Sequence, residues 1–369
     1  MLRAVHERLR MAYPEALFTM VPTALQGSAP FRRLVDAGFY PKASLYRYGV
    51  DWGQLCPLIP RTIRERFGLV LDREVDIVID AAGFAYSDQW GISHTQVLAE
   101  SARRWRRRGT KVVVMPQALG PFRGTAIRKH IQTVVDHADL VMPRERTSYD
   151  HLVDVVGERS NIRQFPDFTN LIEGRVPPVF DEQRHQVCLV PNYRMIDKTD
   201  AAVSEAYLPF MQRCAKLLVG RGAMPFVLVH EGAKDQWLAD QIASAAGGIP
   251  VLTVDDPLEI KGILGACRAT IGSRFHGLVS ALSQGVPSLA TGWSHKYVEL
   301  LDDYGFPEGV VSVVGEDGGA LEDRLEMLVD PERHAKLRAT LLENSERLKQ
   351  RSEEMWATVF GVLESSRAG

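Results

Sequence analysis

No apolar run in this chain approaches the ~20 residues needed to cross a bilayer, and the opening Met-Leu-Arg-Ala-Val-His-Glu lacks the apolar stretch of a signal peptide. Both absences point to a protein made and kept inside the cell. Cysteine is scarce: Cys56, Cys188, Cys214 and Cys267 lie far apart with no C-x-x-C, which excludes a zinc knuckle and a dense disulfide framework and fits a reducing cytoplasm. Charge of one sign is lacking too. Lys plus Arg total 44 against 46 Asp plus Glu, a net charge of −2, so bulk neutralisation of nucleic-acid phosphates is not expected. No G-x-x-x-x-G-K-[ST], G-x-G-x-x-G, H-E-x-x-H or D-x-D occurs, which counts against a P-loop NTPase and a typical dinucleotide enzyme. No His, Cys and carboxylate cluster has metal-ligand spacing, so neither a catalytic metal nor a resident cofactor is expected. Fixed-period repeats and low-complexity segments are absent as well.

What is present is an alternation of short Val/Ile/Leu runs with longer stretches of helical period, over 369 residues that suit about two domains. The candidate strands are 76–80, 111–115, 140–142, 187–190, 225–229, 250–253, 269–272 and 287–290. Their continuous apolar character suits strands covered on both faces, as in doubly wound parallel sheets. A break falls at 172–185, where adjacent prolines and mixed charge carry no period. The expected organisation is therefore a first Rossmann-like domain over 1–171, a linker over 172–185, a second over 186–329 and a helical tail over 330–369. Two such α/β halves facing across a cleft would take ligands at the carboxyl ends of their strands.

The segment Ala269-Thr-Ile-Gly-Ser-Arg-Phe-His-Gly-Leu-Val-Ser-Ala-Leu-Ser-Gln284 runs from a strand into a helix almost without a loop. Ser273 reads as the N-cap, with Phe275, Leu278, Val279 and Leu282 facing the core. Arg274 and His276 then fall in the first turn, where free backbone amides and the positive dipole end favour an anion. Arg274 adds a planar fork suited to carboxylate or phosphate, and His276 a group able to give or take a proton. The plainer alternative is a solvated helix-end Arg and a capping or core His.

Extended to Gly285-Val-Pro287, preceded by Ile260-Lys-Gly262 and followed by Gly292-Trp-Ser-His-Lys-Tyr297, the segment resembles the polysaccharide pyruvyl transferase family. Met115-Pro-Gln-Ala-Leu-Gly-Pro-Phe122, Arg144-Glu-Arg-Thr-Ser148, Pro166-Asp-Phe168 and Pro191-Asn-Tyr-Arg-Met-Ile-Asp-Lys-Thr199 agree with it, over about residues 76 to 305. The resemblance implies a GT-B-like pair of Rossmann-like domains. It also implies phosphoenolpyruvate as donor of a ketal-linked pyruvate to a sugar of an exopolysaccharide or lipid-linked oligosaccharide, with Arg274 and His276 serving donor binding and catalysis. Chains of the family usually open with a strand and a turn ending in Gly-Asp. Here Met1 falls inside the helix that follows, with Leu2, Val5, Leu9 and Tyr13 on its apolar face.

Secondary donor-side candidates follow other strands. Asn192 and Arg194 come after 187–190; family members often carry Arg where Asn192 stands, and Arg194 has a surface partner available in Asp197. His295 and Lys296 fall in a first turn that Ser294 would cap, with Trp293 read as a packing residue. His230 follows 225–229 as a lining residue, beside Glu231 and Asp235, with Glu231 read as a helix-start charge. On the first domain, Gly83 permits a tight turn while Phe84, Tyr86 and Trp90 offer flat faces for a sugar acceptor, or else form a buried cluster. The basic run Arg103 to Arg108 is either a solvated helix end or a peripheral contact with anionic lipid near a lipid-linked acceptor. Two rival readings keep the architecture: a glycosyltransferase using a nucleotide sugar, and a non-catalytic glycan-binding module.

Overall fold

The computed structural model describes residues 1–21, 30–43, 46–47, 50–292, 295–315 and 318–365. The chain divides into two compact units, the first of residues 1–144, 148–164 and 357–369, the second of 145–147 and 165–356. No helix among the described residues is long and apolar enough to cross a membrane.

The first unit opens with α1 (Leu2–Ala12), β1 (Thr19–Met20), α2 (Pro30–Asp36), β2 (Tyr40–Pro41), β3 (Tyr46–Arg47), β4 (Val50–Asp51) and α3 (Arg61–Arg66). In α1, Val5 and Leu9 are buried but Leu2 is exposed, and Tyr13 lies past the helix end. Next come β5 (Ile77–Asp80), α4 (Ser93–Arg107), β6 (Lys111–Gln117), α5 (Thr125–His137), β7 (Leu140–Pro143) and α6 (Arg146–Val156). Strands β5, β6 and β7 form a parallel sheet in that order, Ile77 opposite Lys111 and Val113 opposite Leu140. Val112, Val114 and Val141 bury against Leu98, Ile127, Ile131 and Val134 of the flanking helices, each worth ~1.5–3 kcal/mol of transfer energy.

The second unit carries β8 (Val187–Val190), α7 (Arg194–Asp197), α8 (Ala201–Gly220), β9 (Pro225–Val229), α9 (Gly232–Ala245), β10 (Val251–Thr253), α10 (Pro257–Ala266), β11 (Ala269–Gly272) and α11 (Phe275–Leu282). It continues with β12 (Ser288–Ala290), α12 (His295–Asp303), α13 (Gly318–Val329) and α14 (Pro331–Glu364). Asp200 caps α8 through the amide of Val203, and Asp256 caps α10 ahead of Pro257. The five strands run parallel in the order β10-β9-β8-β11-β12. From β8 the chain builds outward through β9 and β10, then returns to add β11 and β12 on the other side. The strand order therefore reverses between β8 and β11, which is where open α/β sheets bind ligands, at the carboxyl ends.

The stretch 172–185 is not a separate connector, because its backbone is spent within the second unit. The amide of Arg175 donates to the Leu258 carbonyl over 2.8 Å, and Phe226 meets Phe180 edge-on and His185 at a tilt. Gly174 meets Gly262 so closely that a Cβ on Gly174 would lie 2.4 Å from the Gly262 nitrogen, so this approach admits no larger residue. The tail helix α14 is likewise no segment of its own: it belongs to the second unit as far as Trp356 and to the first from Ala357 onward.

Candidate active site at the β8–β11 switch point

The turn between β11 and α11 is held from beneath by Ser273. Its Oγ lies 2.8 Å from the Tyr207 hydroxyl and 2.6 Å from Thr291 Oγ1, and its amide donates to the Val190 carbonyl. Its own carbonyl accepts from Asn192 Nδ2 at 2.8 Å and the Tyr297 hydroxyl at 3.0 Å. Ser273 is therefore neither an N-cap nor placed to touch a donor, since every polar atom faces inward. The cap position of α11 falls to Arg274, in an extended conformation with no side-chain cap bond.

Asn192 is consumed in the same way. It is buried, its amide donates to the Tyr207 hydroxyl, and its Oδ1 accepts from the Arg194 amide. Arg194 itself pairs with Asp197 at 2.8 Å on an exposed turn, the plainer of its two readings. Asn192 is thus engaged inside the fold, while the Arg194 side chain stays half-exposed beside its carboxylate partner.

Arg274 is gripped on two sides. Its Nε and Nη2 donate to Asp235 Oδ2 at 3.0 and 2.5 Å, and its Nη1 donates to Glu231. The two carboxylates differ: the Asp235 side chain is 1% exposed and that of Glu231 69%. Asp235 Oδ1 also accepts the Tyr193 amide, so one buried carboxylate ties the loop after β8, the helix after β9 and the turn after β11. Burial pushes the Asp235 carboxyl upward, and Arg274 works against that rise. The outer partner is the replaceable one: an anion arriving from solvent could take the place of Glu231 while Asp235 keeps the guanidinium aimed.

His276 sits one residue into α11, its side chain 41% exposed, its ring edge-on to Phe275 and its Nε2 3.6 Å from Asp167 Oδ2. His230 packs against the same turn: a Cβ on Gly277 would lie 3.4 Å from the Arg274 Cβ and 3.6 Å from His230 Cδ2, so glycine gives both side chains room. Burial, and then the Arg274 guanidinium, pull the His230 imidazole down to about 4, which keeps it neutral at pH 7. His295 Nε2 lies 3.6 Å from Glu145 Oε1. Lys296 is buried rather than solvated, its ammonium 5.5 Å from the Phe275 ring centre and 5.3 Å from that of Tyr297. Trp293 and Ser294, with the expected cap, lie outside the described residues.

The second unit thus gathers Arg274, His276 and His230 at one sheet edge, with Lys296 against the ring of Phe275. The sequence pattern noticed Asp235 without its role and left Asp167 and Lys261 among the quoted motifs. In the first unit, Phe84 and Trp90 pack edge-on with ring centres 6.2 Å apart and stay half-buried. Tyr86 is lost as a stacking face, being buried with its hydroxyl donating to Asp80 Oδ2 at 2.7 Å. Gly83 has the positive φ of +81° that its turn was expected to need. In the basic run, Arg104 bonds Ser101, Arg106 bonds Asp139 and Arg108 bonds Asp72, the behaviour of a structural helix end.

The profile of the polysaccharide pyruvyl transferase family matches residues 7–295. The chain belongs to that family. Among solved structures, Anabaena HepE in complex with UDP and glucose is similar at a TM-score of 0.58 and 13% identity, over 96% of this chain and 95% of that one. The same Anabaena protein in complex with UDP-glucose gives 0.55 and 14%, over 90% of each chain. A structure reported as a putative UDP-N-acetylglucosamine 2-epimerase from Listeria monocytogenes gives 0.50 and 11%, over 74% of this chain and 72% of that one. These likenesses identify the fold: this pyruvyl transferase family member is α/β, built of Rossmann-like units of the GT-B class.

Proposed function

We propose that this chain transfers the three-carbon skeleton of phosphoenolpyruvate onto two neighbouring hydroxyls of a sugar, leaving a ketal-linked pyruvate and inorganic phosphate. The observation that supports it is the guanidinium at the β8–β11 switch point, fixed by a buried carboxylate and covered by an exposed one, with an imidazole two residues on. A small acid with two anionic groups suits that arrangement. Its carboxylate takes the place of Glu231 on Arg274, and the open turn of α11 faces its second anion.

His276 gives a proton to the methylene carbon, turning it into a methyl group, and the first sugar hydroxyl bonds to the adjoining carbon as it loses its proton. The bond from that carbon to the phosphate oxygen then breaks, phosphate leaves with a proton, and the second hydroxyl closes the ketal as it loses its own. His230, neutral at pH 7, is a lining group that adds no charge to compete with Arg274. Lys296, against the Phe275 ring, and His295 are further groups proposed on the donor side. Phe84 and Trp90 are proposed as the stacking faces for a sugar, within an exopolysaccharide or a lipid-linked oligosaccharide. A cytoplasmic location with peripheral membrane contact would follow from an acceptor of the latter kind.

A second reading, transfer of a sugar from a nucleotide donor, draws on the fold shared with HepE, whose structures contain UDP and UDP-glucose. Heat-melting scans separate the two: phosphoenolpyruvate at a hundredfold excess over its Kd raises stability by ~2.7 kcal/mol, whereas protection by a nucleotide sugar alone overturns the proposal. With acceptor present, Arg274→Ala and His276→Ala should each release phosphate from phosphoenolpyruvate at least ~100-fold more slowly than wild type. Equal rates would remove both residues from the reaction, and saturable glycan binding with no turnover would favour a binding module.

A further inference from the structure

Asp167 has no role in the transfer as written above, yet it faces the imidazole that gives the proton. It caps the short 3-10 turn Phe168–Leu171, and its side chain is 6% exposed. One oxygen is occupied: Oδ1 accepts the Thr169 amide at 2.9 Å and the Thr169 hydroxyl at 2.5 Å. The other, Oδ2, lies 3.6 Å from His276 Nε2, within ion-pair reach. Behind the turn, Lys261 on α10 donates to the Thr169 carbonyl at 2.8 Å and to Ser283 Oγ at 3.3 Å. Burial pulls the Lys261 ammonium down to about 8, and Asp167 acts against that fall.

We propose that Asp167 is the positioning residue for His276: its buried carboxylate orients the imidazole and favours the protonated form, so that proton delivery depends on a group that touches no substrate. This rests on the role given to His276 under the proposed function. Among the described residues, several other titratable or charged groups lie near this pair, Tyr304 beside Asp167 and Lys349 beside Lys261 included. Arg274, in the same turn, has its charge matched by Asp235 and Glu231. His230 is neutral at pH 7. Lys261 stands behind Asp167, and Lys296 on α12 lies against Phe275, the neighbour of His276. Asp167 is thus the buried anion directed at His276, and an imidazolium beside it is stabilised relative to the neutral ring.

The pair is tested by following the His276 ring signals through a pH titration in wild type, Asp167→Asn and Lys261→Met, with His276→Gln to assign them. Asparagine can keep the carbonyl that caps Thr169 while removing the charge, so the turn survives and the field changes. Asp167→Asn should lower the His276 midpoint by about one pH unit. Lys261→Met, which removes the cation behind the carboxylate, should raise it. Because the protonated ring is the donor, transfer is lost as pH rises through the midpoint, so the high-pH limb of the rate profile should move down in Asp167→Asn and up in Lys261→Met. An unchanged midpoint in both variants overturns the proposal, and if Asp167→Asn does not fold, the direction in Lys261→Met decides it. Shifted midpoints with no phosphate released from phosphoenolpyruvate by any of these proteins would leave the pair standing and sink the proposed donor instead.

Discussion

The two units end their sheets differently. In the first, Asp80 closes β5 and is locked by neutral donors, Tyr86 on one oxygen and Gln117 Nε2 on the other at 2.9 Å. Burial, with Asp80 beside it, pushes the Tyr86 phenol far up, so this phenol stays protonated near neutrality. In the second unit the corresponding edge carries a guanidinium between two carboxylates, one of them mostly in water, and a half-exposed imidazole. A closed polar network fixes a loop, whereas an edge with one exposed partner can trade that partner for a ligand. Under the proposed function, the reaction chemistry would fall to the second unit and scaffold or acceptor duties to the first.

Substitutions can break or sharpen this contrast. The largest effect should come from Asp235→Ala, which strips Arg274 of its buried partner: a loss of about 3 kcal/mol in denaturant unfolding is expected. A mild outcome there would mean that Glu231 alone holds the guanidinium and would erase the distinction between inner and outer carboxylates. Tyr86→Phe should cost about 1–2 kcal/mol by removing one donor from Asp80. Were that variant instead neutral, the first unit's edge would not be a closed network. Arg194→Ala should change unfolding by less than ~0.5 kcal/mol, as suits an exposed pair with Asp197, and a larger loss would show that the pair does more than an ordinary surface contact.

Much of the fold was legible because strands buried on both faces must be apolar throughout, and Val187 to Val190, Pro225 to Val229 and Ala269 to Gly272 appear where their composition put them. The two-residue strands Thr19–Met20 and Tyr40–Pro41 were not, since so short a segment has no period to detect. At the site, Arg274 and His276 could be picked out because a strand running directly into a helix is a local pattern. The role of Ser273 could not: its side chain is drawn inward by Tyr207 and Thr291, residues 66 and 18 positions away, and no local rule reports that. Asp235 escaped a role for the same reason, lying 39 positions from the guanidinium it holds.

The triple attachment at Asp235 limits how this protein can be re-engineered. One side chain fastens segments that follow three different strands, so grafting any single one from a homologue would drag the other two out of register. Exchanges that alter selectivity here should succeed only when all three segments are transplanted as a block.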